Sequence, residues 1–236
     1  MINIERKKQL DKLIGKIDLN LNKYYLLNIA LTHPSYVFEN GQKRDEHNQR
    51  LEFLGDAVVG LIVGEYLYKE YPNKTEGELT KIRAAVVCEA SLARAANRLG
   101  LGPYLLMGKG EKLAGGSKRN SNLADAYESV VGALYLELGL DKIKDFTLKY
   151  IMPDIEKVIS GDYGDYKTQL QEHLQKQQSV MIEYKIISEE GPDHDKEFKS
   201  GVFINEKLYA TGKGKTKKEA EQKAAEASLR KMDILK

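Results

Sequence analysis

A single cysteine, Cys88, in 236 residues leaves no partner for an intramolecular disulfide and suits a reducing compartment. No apolar run approaches the roughly 20 residues that a membrane helix needs. The opening stretch, Met1 to Lys8, lacks the apolar core and small-residue cleavage site of a signal peptide. A cytoplasmic protein without a membrane partner is expected. Internal repeats and low-complexity tracts are missing too. Two phosphate-loop lookalikes fail: Gly115-Gly116-Ser117 has no lysine before the hydroxyl, and Gly214-Lys215-Thr216 has Tyr209 where the first glycine belongs. No nucleotide cofactor is expected. Nor is there a large excess of either charge, since the net value is only +2. The distribution is more informative: Thr211 to Lys218 reads TGKGKTKK, four lysines and no acid, a local patch able to hold phosphate.

What is present is 42% hydrophobic and 31% charged, enough for a real core in one large or two modest domains. Helical spacing recurs through the first two thirds, as in Leu10-Leu13-Ile14-Ile17 and Leu51-Leu54-Val58-Leu61-Ile62. Thr75 and Glu78 form a capping box, and a helical pattern continues from there to Leu99. Cys88, in Ala84 to Cys88, reads as a small buried hydrophobe. A glycine-rich basic loop follows from Gly108 to Arg119, then helices near 119–138 and 141–159. Residues 160–164 form a linker with two glycines. Beyond it, a helix from Asp165, strand-like runs at Val180–Ile187, Phe198–Ile204 and Lys207–Ala210, and an alanine-rich helix from Lys217 give the order α-β-β-β-α. An all-α domain (1–159) and a small α+β domain (165–236) are predicted.

The chemistry is concentrated in two segments. Glu52 and Asp56 are four apart within RLEFLGDA, and Asp125 and Glu128 three apart within LADAYESVVGA. Either spacing sets both acids on one helix face. Among 35 acids such pairs arise by chance on solvated faces. Here the neighbours are Leu51, Phe53, Leu54, Leu123, Ala124 and Val130, and Gly55 allows close helix approach. Acids among such neighbours need compensation, and a hard divalent cation held through oxygen would supply it.

RLEFLGDA and LADAYESVVGA together resemble the signature of the ribonuclease III family. LTHPSY (Leu31 to Tyr36), GKGEKLAGGSKR before the second pair and the C-terminal pattern fit the same family over essentially the whole chain. The resemblance implies an all-α endonuclease domain followed by a double-stranded RNA-binding domain. It implies Mg²⁺-dependent cutting of both strands of duplex RNA, with Mn²⁺ able to substitute, leaving 5′-phosphate and 3′-hydroxyl ends. Ribosomal RNA precursors and structured messenger RNA are the implied substrates. Glu52, Asp56, Asp125 and Glu128 fall on the family's metal-binding acids, with Asp56 and Glu128 catalytic. Gln49 departs from the pattern, standing where most bacterial relatives have glutamate. That position and the one matched by Glu76 lie near the cleavage site. His33 and His47 flank motifs and read as structural.

The family's three RNA-contact regions match Thr168, Gln171, Glu172 and Gln175 on one helix, His194 in a turn, and Lys215, Lys217 and Lys218 at the last helix. Duplex RNA is read by shape, through minor-groove hydroxyls and phosphates, which suits such a set. Cutting both strands needs two sites, which a twofold homodimer supplies, and Phe53 is the residue expected at that interface. Two rivals remain: a duplex-RNA binder with a retired nuclease domain, and a helical enzyme using carboxylate-held Mg²⁺ on diphosphates.

Overall fold

The computed structural model describes residues 2–19, 21, 24–41, 45–160, 166–175, 180–192 and 196–234. The chain divides into two compact units, Met1–Ile159 and Ser160–Lys236. Apart from Ser160, the expected linker lies outside the described residues.

The first unit is built of helices: α1 (Ile4–Ile17), α2 (Tyr24–Ala30), α3 (Pro34–Glu39), α4 (Gln49–Glu70), α5 (Glu76–Val86), α6 (Glu89–Leu99), α7 (Lys109–Leu113), α8 (Asn120–Leu138) and α9 (Leu140–Ile159). At its centre lies α8, with Leu123, Ala126, Tyr127, Val130, Val131 and Leu134 all buried. Its most extensive partner is α4, and α6 packs on another side. Asp154 of α9 is almost wholly buried and ties α9 to α6 by accepting from Arg94 Nε at 2.6 Å and Arg98 Nη1 at 2.5 Å. The capping box at Thr75 forms as expected, with Glu78 N donating to Thr75 Oγ1 and Thr75 N to Glu78 Oε2.

Two local expectations are corrected. The helical pattern from Thr75 to Leu99 is two helices, broken at Val87-Cys88, where Cys88 takes extended backbone angles as the N-cap of α6. That turns its side chain outward, so Cys88 is exposed rather than buried. The basic loop at 108–119 also contains helix α7 and a short 3₁₀ turn, Gly116–Lys118.

The second unit consists of α10 (Tyr166–Gln175), β1 (Ile182–Glu190), β2 (Glu197–Ile204), β3 (Lys207–Gly214) and α11 (Lys217–Lys231). The strands form an antiparallel sheet in the order β1-β2-β3. Asn205 and Glu206 join β2 to β3 with φ of 47° and 65°, the paired positive values of a type I′ hairpin turn. Tyr166, Leu170 and Leu174 of α10 pack with Val202, Ala224, Ala225 and Leu229 as the core. Gly212 and Gly214 let β3 lie directly on α11; a Cβ on Gly214 would come within 2.7 Å of Ala220 N.

Candidate active site

The site is set by how closely α4 and α8 approach. A Cβ on Gly55 would overlap the carbonyl group of Glu128 and lie 3.0 Å from its Cα. A Cβ on Gly132 would overlap the Leu51 carbonyl and lie 3.2 Å from Gly55 N. Backbone therefore meets backbone at a point where any side chain would hold the helices apart. Beside this contact, Ser129 Oγ donates to the carbonyl of Asn48 at 3.2 Å in a buried bond. Glu52 and Glu128 are thereby carried towards each other from two helices.

Glu52, Asp125 and Glu128 are half-buried, and each offers a carboxylate oxygen within 4.8 Å of the others. Asp56 is exposed and is not part of that grouping, although its charge is felt by its neighbours. Burial raises the pKa of Glu128 to about 8, and the charges of Asp56, Glu52 and Asp125 add to it. Burial also raises Glu52, reinforced by Asp125 and Asp56. Asp125 is raised chiefly by burial, against a lowering influence from His33. Three converging acids that resist ionising together form a donor set suited to a hard divalent cation, which would remove their mutual repulsion.

Gln49 is the first residue of α4, exposed, and its N–H donates to His47 Nδ1 at 3.4 Å. It lines a surface cavity of about 780 Å³ together with His47, Tyr25, Ile29, Phe53 and Leu136, not the acid grouping. Phe53 is 82% exposed on α4, and Leu61 and Tyr68 on the same helix are also exposed. Glu76 begins α5 in solvent, accepts from Thr80 Oγ1 at 2.9 Å and is likewise outside the grouping. His33 caps α3 through Nδ1, which accepts from Ser35 N, the structural role expected of it.

The supports of this site have no local signature in the sequence. Ser35 Oγ accepts from Gly108 N at 3.0 Å and Glu39 Oε2 from Lys109 N at 2.6 Å, so α3 satisfies the amides that open α7. Glu111 of α7 in turn holds Arg119 and Asn122 at the start of α8. The contacts between α3 and α7 span some seventy residues, and no local pattern announces them.

In the second unit Thr168 and Gln171 lie on α10, the first half-buried and the second exposed. Glu172 and Gln175 belong to the same helix, but their side chains, and the whole of His194, lie outside the described residues. Lys217 and Lys218 open α11, whose N-cap is Thr216, and Lys215 precedes the cap; all three lysines are exposed. Lys217 Nζ lies 3.0 Å from Glu189 and above the Phe198 ring.

Comparison with known proteins covers both units. A family model described as Ribonuclease-III-like matches residues 23–155, and one described as Double-stranded RNA binding motif matches 166–232. The chain is 54% identical over 204 residues to Ribonuclease 3 of Syntrophomonas wolfei, covering 86% of this chain and 87% of that protein. It is 46% identical to Ribonuclease 3 of a Geobacillus species over 99% of this chain and 95% of that one. Among solved structures, a nuclease domain of ribonuclease III from Campylobacter jejuni, described for flexibility in a region involved in dimer formation, matches with a TM-score of 0.57. It is 41% identical and covers 61% of this chain and 97% of that chain.

Proposed function

From the premise that this chain belongs to the ribonuclease III family, an endoribonuclease of double-stranded RNA, we propose that it works as a Mg²⁺-dependent homodimer cutting both strands. The observation that carries this reading is the meeting of Glu52, Asp125 and Glu128 within 4.8 Å beside the Gly55 contact. Those three acids, with Asp56 at the exposed rim, are the residues that would hold the cation. Bound there, Mg²⁺, or Mn²⁺ in its place, would supply Lewis acidity to the phosphodiester and to an attacking water.

The chain's own side chains do the rest. Burial holds the pKa of Glu128 up at about 8, so it would have to lose its proton to serve as a ligand. Asp56 faces solvent, where substrate must approach, and is assigned with Glu128 to the chemistry. Attack by water rather than by the 2′-hydroxyl breaks the P–O3′ bond and leaves 5′-phosphate and 3′-hydroxyl ends. Thr168, Gln171, Glu172, Gln175, His194, Lys215, Lys217 and Lys218 form the duplex-reading set of residues 165–236. Phe53 anchors the dimer, because so exposed a phenylalanine beside the apolar Leu54 and Leu136 of its cavity is what an interface needs. Gln49 shares the cavity with Phe53, and Gln49 and Glu76 are assigned to the cleavage-site vicinity by their match to the family pattern. Ribosomal RNA precursors and structured messenger RNA are the substrates assigned.

The test is cleavage of a long labelled RNA duplex with Mg²⁺, beside EDTA and a Glu128→Gln control. Metal-dependent cutting that this substitution abolishes, with duplex binding retained, is expected. Binding with no cutting in either Mg²⁺ or Mn²⁺ would favour a binding protein with a retired nuclease domain.

A further inference from the structure

The lysine-rich stretch from Thr211 to Lys218 holds no acid of its own, but the fold brings acids to it from two strands. Glu189, near the end of β1, lies 3.0 Å from Lys217 Nζ, and Glu197, at the start of β2, lies 2.7 Å from Lys213 Nζ. The sheet register accounts for the first contact. Glu189 stands opposite Phe198 on β2, and Phe198 stands opposite Gly214 on β3. Without a side chain at Gly214, α11 can press onto the end of β3. Lys217, the first residue of α11, therefore starts beside this cross-strand row. Its ammonium lies 5.6 Å from the centre of the Phe198 ring and against the Glu189 carboxylate. One lysine is thus held twice, by a ring and by an opposite charge.

These two holds differ in what they mean for RNA. The Phe198 ring is neutral and can keep the lysine stem in place when a phosphate arrives. The Glu189 carboxylate is an anion on the same ammonium, and a phosphate that takes over the charge must first break that pair. Both partners are exposed, so the pair is of the weak, salt-screened kind. Exposed pairs typically shift an equilibrium by about 1.5- to fivefold, which is the scale of the competition.

We propose that Glu189 is an internal competitor of duplex RNA: it occupies the Lys217 ammonium in the RNA-free protein, has to be displaced before a phosphate can bind there, and so lowers the affinity of the RNA-binding domain. This rests on the assignment of Lys217 to the duplex-reading set given above. Glutamine at 189 would keep the length and an acceptor oxygen while losing the charge.

The experiment is filter binding of a labelled RNA duplex to the full chain in EDTA, as parent, Glu189→Gln, Lys217→Ala and the double variant. Glu189→Gln should tighten binding by about two- to fivefold at about 50 mM salt, and the gain should shrink at about 300 mM as salt screens the pair. A substitution that merely damages the domain would weaken binding, so the expected sign cannot come from a structural defect. Lys217→Ala alone should weaken binding, and adding Glu189→Gln to it should change affinity by less than about 1.5-fold. Unchanged or weaker binding by Glu189→Gln, while Lys217→Ala weakens it, would overturn the proposal alone; the weaker result would make Glu189 a strut that aims Lys217. A gain kept in full without Lys217 would overturn it as well, since the effect would then be a general loss of negative charge. A Lys217→Ala variant that binds like the parent would remove Lys217 from the duplex-reading set and the proposal with it.

Discussion

Gly55→Ala tests the close approach of α4 and α8 with a single methyl group. In an open helix interior, replacing glycine with alanine stabilises by about 1 kcal/mol. At position 55 the added carbon meets the Glu128 carbonyl, and ordinary Cβ contacts begin near 3.4 Å, so the helices must part locally by about 1.5 Å. The obstacle is backbone, which cannot rotate aside as a flexible side chain does. Overpacking of this kind costs about 1–3 kcal/mol, and the upper end applies here. The net expectation is a loss of about 2 kcal/mol, roughly a thirtyfold drop in the folding constant. Gly15→Ala is the matched control, because a Cβ at Gly15 of α1 meets nothing within 4 Å; it should stabilise by about 0.5–1 kcal/mol. Urea unfolding reads both as shifts in midpoint at unchanged slope. Cleavage gives a second readout: Glu52 and Glu128 ride on the parted helices, and a displacement of about 1 Å costs on the order of 100-fold in rate. A Gly55→Ala protein as stable as Gly15→Ala would refute the claimed contact.

The raised pKa of Glu128 has a pH signature in EDTA. Its neutral form favours folding fully below about pH 4.5, and that advantage is lost as pH rises through about 8, so the metal-free protein should melt progressively lower across this window. Glu128→Gln, neutral at every pH, should flatten that trend in thermal unfolding from pH 5 to 9; an unchanged slope would count against the burial of this acid. Replacing Lys215, Lys217 and Lys218 with alanine should weaken duplex binding and reduce the slope of log affinity against log salt by about 2 to 3, measured by filter binding. Phe53→Asp should convert the dimer to monomer in sedimentation velocity, and an undisturbed dimer would remove Phe53 from the interface.

The architecture was largely legible because its signals are periodic. Apolar residues at helical spacing marked α1 and α4, and Thr75 with Glu78 marked the start of α5 through a motif complete within four residues. The converging acids were legible for the same reason, since spacing alone sets Glu52 with Asp56 and Asp125 with Glu128. The difference between Asp56 and the other three was not, because exposure depends on which side of α4 meets α8, and that is decided by Gly55 and Gly132 acting from different segments. Helix α7 escaped notice because Gly108 makes no side-chain cap bond and its opening amides are satisfied by Ser35 and Glu39 of α3. The exposure of Cys88 is hidden in the sequence because a break between two helices looks, by periodicity alone, like one longer helix. The end of β3 was missed because Gly212 and Gly214 suggest a loop until α11 is laid across them.

Seventy-six residues separate Glu52 from Glu128 along the chain. At about 5–20 residues per second, a ribosome takes some 4–15 s to travel from one to the other. For that interval the emerging protein carries α4 with half a site and no second helix to close it. Folding of the pair must await α8, because the Gly55 contact joins segments that no local turn can bring together. Until α8 docks, Glu52 stands without the two acids it converges with, and the grouping cannot form.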